Sequence, residues 1–143
     1  MKRYATFFFG VYDTQARRLS YTNAGHLPPV YICGDTVKHL ETGGMVVGLF
    51  DGVPFEQGTL DIRPGAILIA YSDGLTESEN VYGEEFGTER LVEVARRNKD
   101  CSPKVIGEAM MHAAEEWSGS AEQADDMTVV VAHFTTASQE AQA

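Results

Sequence analysis

The sequence is poor in base, in cysteine and in long apolar runs. Eleven Lys and Arg stand against 21 Asp and Glu, a formal net charge of −10. Such a chain repels phosphate backbones and anionic lipid headgroups, so neither nucleic acid nor a membrane is expected as its main partner. Divalent cations and basic proteins remain. Only two cysteines occur, Cys33 and Cys101, with no CxxC spacing. They read as free thiols of a reducing, cytoplasmic compartment. The four histidines, His26, His39, His112 and His133, form no HExxH pair, so a zinc site has no support. No apolar run approaches the ~20 residues that span a bilayer. The opening Met1-Lys2-Arg3-Tyr4 carries no export signal.

What is present suffices for a core. The 143 residues are 43% hydrophobic and 10% aromatic, the size and composition of one folded unit. Residues 6–12 (TFFFGVY) predict a strand, apolar nearly throughout and so expected to be buried on both faces. A polar turn and a strand at 19–22 complete a hairpin. Asn23-Ala24-Gly25-His26-Leu27-Pro28-Pro29 is a loop by composition. Strands at 30–33 and 36–40 flank Gly34-Asp35. Residues 41–56 are glycine-rich, and Met45, Val46, Val47, Leu49 and Phe50 are expected to anchor them as a packed loop. Strands at 57–62 and 66–71 follow, divided by Pro64-Gly65.

The apolar period then lengthens. Thr88 is the expected N-cap of a helix over 88–98, with Leu91, Val94 and Ala95 on one face. Ser102-Pro103 opens a second helix whose stripe runs through Val105, Ile106, Ala109, Met110, Ala113 and Trp117. Residues 127–134 (MTVVVAHF) predict the last strand. Residues 1–134 read as one unit and 135–143 as a disordered tail.

Two strand ends carry acids. The strand at 66–71 ends at Ser72-Asp73-Gly74, and Asp125-Asp126 lead straight into the last strand. Asp-Gly is a common turn pair and acids at strand edges are ordinary, so each alone reads equally as a surface feature. If the two strands are antiparallel neighbours, Asp73, Asp125 and Asp126 gather at one sheet edge. Clustered carboxylates repel and need cations. No Lys or Arg lies near either motif in sequence, and a hard oxygen-binding metal, Mn²⁺ or Mg²⁺, is the natural partner. Gly74 allows close backbone approach. His26 reads as an acid near a substrate or as a group ordering its own loop. Asn23 reads as a turn hydrogen bond, Glu77 as an orienter or a solvated acid, and Thr128 as a hydrogen bond beside the site.

Four stretches carry a resemblance. They are Thr22-Asn23-Ala24-Gly25-His26-Leu27-Pro28-Pro29, residues 67–77 ending Tyr71-Ser72-Asp73-Gly74-Leu75-Thr76-Glu77, Glu85-Phe86-Gly87 with Arg90-Leu91, and Asp125-Asp126-Met127-Thr128 with the valines behind. In order and spacing they resemble the metal-dependent serine/threonine phosphatases of the PPM class, in the bacterial SpoIIE/RsbU branch. The resemblance implies an α+β fold, part of an α-β-β-α sandwich with mostly antiparallel sheets and two helices on one side. It implies a metal-dependent protein phosphatase. Asp73 and Asp125 would be metal ligands, and Asp126 would assist or orient. Two Mn²⁺ or Mg²⁺ ions would activate a water against a phosphoprotein substrate, such as an anti-sigma-factor antagonist, with no covalent intermediate.

The resemblance covers only the C-terminal part of that domain. The branch carries an earlier Asp-Gly that bridges both metals, and this chain has none ahead of the Asn23 loop. Asp51-Gly52 falls after it, and Asp13 is followed by Thr14. An incomplete metal pair, weak or absent turnover, and unpaired sheet edges favouring a homodimer or a strand-exchanged dimer are therefore expected. A non-catalytic interaction module on the same fold is the competing expectation.

Overall fold

A computed structural model of the chain describes residues 3–119 and 126–135. The 135–143 tail lies, except for Thr135, outside the described residues. Strands β1 (Phe7–Asp13) and β2 (Arg18–Ala24) form the first hairpin. Its turn is set by Asp13, whose carboxylate accepts the Gln15 and Ala16 amides at 2.9 and 3.0 Å. Beyond β2 come β3 (Val30–Cys33) and β4 (Thr36–His39). A two-residue β5 (Gly43–Gly44) and β6 (Gly58–Asp61) follow, then β7 (Ile67–Tyr71). The helices are α1 (Asp73–Thr76), α2 (Gly87–Arg97) and α3 (Pro103–Ser118), and β8 (Val129–His133) closes the chain.

These strands make two sheets. One runs β1-β2-β5, with β6 also paired to β2. The other runs β4-β3-β7-β8, antiparallel throughout. Period-two alternation sorts the side chains into two apolar layers. Tyr31 and Leu68 face the first sheet and meet Leu19, Tyr21, Leu60 and Ile62. Val30, Ile67, Ile69 and Tyr71 face the helices and meet Leu75, Leu91, Ile106 and Met110. The α+β expectation holds, with helices on one side only among the described residues.

Four local expectations are corrected. β1 is not buried on both faces. Among the described residues it pairs with β2 alone, and Phe8 and Tyr12 turn inward, onto Tyr21 and Phe134. Phe7, Phe9 and Val11 point outward, 54, 55 and 56% exposed. The 41–56 segment is not a packed loop: β5 pairs with β2 in parallel, while Met45, Val47 and Phe50 are exposed. Asp73-Gly74 is not a free turn but the first turn of α1, a helix too short for periodicity to reveal. Thr88 is not an N-cap. α2 starts one residue earlier, and the Thr88 hydroxyl instead sits 3.5 Å from the Tyr71 phenol. The Ser102 cap of α3 holds, its hydroxyl accepting the Val105 amide at 3.3 Å.

Candidate metal centre

β7 and β8 are antiparallel neighbours, with Tyr71 opposite Val129. The end of one therefore meets the start of the other. Ser72 continues the ladder by one step. Its amide donates to the Thr128 carbonyl at 2.9 Å, and its hydroxyl receives the Thr128 amide at 2.9 Å. The same hydroxyl donates to the Asp126 carbonyl at 3.2 Å. One serine thus holds the Asp126 backbone beside the residue that precedes Asp73. Asp125 lies outside the described residues.

Asp73 opens α1 and is exposed. Its carbonyl takes the Glu77 amide at 2.8 Å. Its carboxylate has no hydrogen bond and no ion pair among the described residues. The backbone under it is fixed, because Gly74, Leu75 and Thr76 are buried and Leu75 belongs to the helix-side core. A free carboxylate on a rigid base, one short step from an exposed Asp126, is a donor set suited to a hard divalent cation. Asp73 and Asp126 carry the carboxylate oxygens that such an ion takes. Among the described residues no three His, Cys, Asp or Glu side chains gather into a complete one.

The other candidates fall into two groups. Asn23 is buried, its amide donating to the Leu40 carbonyl at 3.0 Å and its oxygen accepting the His26 amide at 2.8 Å. The His26 ring nitrogen Nδ1 lies 2.8 Å from the Leu27 carbonyl. These two brace their own loop rather than present free groups. Glu77 is exposed and its side chain touches no described partner, so it is a solvated acid. Gly74 lies inside α1, without a left-handed backbone. Thr128 contributes its backbone to the Ser72 ladder and keeps its side chain exposed. Sequence reasoning overlooked Ser72 itself.

Two sheets with a helical layer and acids at one edge define a class, the PP2C-type phosphatase fold. The phosphatase domain of SpoIIE from Bacillus subtilis, presoaked with Mn, superposes with a TM-score of 0.64 at 22% identity. That match covers 92% of this chain and 57% of the solved one. The SiaA-PP2C domain of Pseudomonas aeruginosa gives 0.73 at 23% identity, covering 85% and 48%. The sequence matches the family described as Stage II sporulation protein E (SpoIIE) over residues 1–135, and the chain belongs to that family of serine phosphatase domains. Protein IcfG of Synechocystis is 34% identical over 134 residues, 93% of this chain and 21% of that protein. Phosphoserine phosphatase RsbU of Bacillus subtilis is 29% identical over 94 residues, 63% of this chain and 28% of its own length. The chain thus spans between a fifth and three tenths of these relatives, and about half of the solved domains.

Proposed function

We propose that this chain is the C-terminal part of a metal-dependent phosphoserine/phosphothreonine protein phosphatase that acts on a phosphorylated regulatory protein in the cytoplasm. The observation that carries the reading is the Ser72 ladder, which ties the Asp126 backbone to the residue that precedes Asp73. Asp73 would hold a divalent cation, Mn²⁺ or Mg²⁺, and Asp125 and Asp126 would close the opposite side. Bound metal supplies an activated water and offsets charge on the phosphoryl oxygens. The chain's own part is to fix the carboxylates. α1 is held by buried Leu75, and Ser72 ties β7 to β8.

Within these 143 residues no Asp-Gly precedes the Asn23 loop, so this stretch by itself is expected to offer an incomplete ligand set. Metal binding is therefore weak and turnover low. Calorimetric titration with Mn²⁺, alongside hydrolysis of a phosphoserine peptide, tests this. The expected result is weak Mn²⁺ binding and slow turnover, both lost in Asp73→Asn. Binding unaffected by Asp73→Asn would sink the assignment of Asp73. Robust turnover would sink the claim of an incomplete set. The exposed Met45, Val47, Phe50 and Phe55 favour the second reading, a protein-interaction module. Absence of Mn²⁺ binding at millimolar metal would favour that module.

A further inference from the structure

A pocket lies at the other end of β7. The metal edge follows Tyr71, whereas Ile67 marks the opposite end of β7, beside Ile32 of β3. Strands rise about 3.4 Å per residue, so the two ends are more than about 13 Å apart. At this far end residues of β3, β4, β6 and the link after β6 line an open pocket of about 390 Å³. Ligand pockets begin at about 300 Å³.

Lys38 and Arg63 line the pocket, with the hydroxyls of Thr36, Thr59 and Tyr31. Neither Lys38 nor Arg63 has an ion pair among the described residues. The acid in the wall, Asp61, is already engaged, 3.0 Å from Arg18. Two uncompensated cations thus face one cavity in a chain whose formal net charge is −10. Other bases collect nearby. The Arg17 carbonyl takes the Ile62 amide, and Arg96 and Lys99 line a smaller neighbouring cavity with Asp35.

Tyr31 gives the cavity a rigid floor. Its ring is buried in the layer between the sheets, and its hydroxyl accepts the Arg63 amide at 3.1 Å. Burial raises its ionisation above the ordinary phenol value.

We propose that this cavity binds a small organic phosphate. A guanidinium and an ammonium suit a phosphate headgroup, and the threonine hydroxyls would meet the polar body behind it. The site is independent of Asp73 and of the phosphatase reading. Calorimetric titration with inorganic phosphate and with glycerol 3-phosphate tests it, at fixed ionic strength and with EDTA present. Both should bind, glycerol 3-phosphate the more tightly, because the cavity exceeds a bare phosphate. Arg63→Gln and Lys38→Gln should each weaken binding by about tenfold, the scale of one lost charge-assisted contact. Both substitutions replace exposed side chains, so the fold is retained. Asp73→Asn should bind like the parent. Phosphate that binds no better than chloride, glycerol 3-phosphate that binds no better than phosphate, or affinity indifferent to Arg63 and Lys38 would each overturn the proposal.

Discussion

At the scale of single residues, Ser72 joins fold to site. Its hydroxyl makes two backbone hydrogen bonds, to Thr128 and to Asp126, and it adjoins Asp73. Ser72→Ala keeps the strand and removes both bonds. The loss should be about 1–2 kcal/mol of stability, because the Thr128 amide and Asp126 carbonyl remain near water. Mn²⁺ affinity should fall with it, since the Asp126 side of the edge is no longer tied to β7. Denaturant unfolding with and without Mn²⁺ reads both effects. Unchanged stability would mean that solvent replaces the hydroxyl without cost. Asp73 is legible in sequence because an apolar strand stops on it. Ser72 is not, because its partners lie 54 and 56 residues away and leave no local pattern.

At the scale of elements, β1 is the exposed liability. Among the described residues it has a strand partner on one edge only, and three large apolar side chains line its outer face. Unpaired, apolar edge strands invite pairing with another chain. We expect the present chain to self-associate through β1 at high concentration. Val11→Lys should shift it toward monomer, because a charge on an edge strand blocks pairing and its ammonium lies in solvent. Light scattering coupled to size exclusion measures this, and a monomeric parent chain would refute it. The same strand shows where sequence reading stops. An apolar run states that burial is wanted, but not which element supplies it. The β3 boundaries, by contrast, agree with the reading at 30–33, since Pro29 and Gly34 punctuate the run. The α3 start is equally legible, because its cap is local chemistry: a serine hydroxyl three residues from the amide it receives. α1 and β5, at four and two residues, are below the length at which any period can be seen.

At the scale of the whole molecule, Tyr31 stands at the seam between two apolar layers. β3 belongs to both: Tyr31 faces the first sheet, while Val30 and Ile32 face the helices. The Tyr31 hydroxyl also receives the amide of Arg63, in the link from β6 of one sheet to β7 of the other. Ionising that phenol would place a charge in the inter-sheet core. Burial therefore pushes its pKa up, against smaller lowering from the Arg63 amide; Cys33 nearby adds to the rise and the Arg63 charge subtracts from it. Above about pH 10, the ordinary phenol value, the unfolded chain has released the Tyr31 proton while the folded chain still holds it. Folding stability is then complete below that pH and declines as pH rises through it toward the raised folded value. Tyr31→Phe cannot ionise and should show the shallower alkaline decline, although it leaves the Arg63 amide without its acceptor and starts from lower stability. Urea unfolding of both proteins across the alkaline range measures the two slopes. Equal slopes would mean that the sandwich opens at this seam before Tyr31 titrates, and that the two sheets are joined elsewhere.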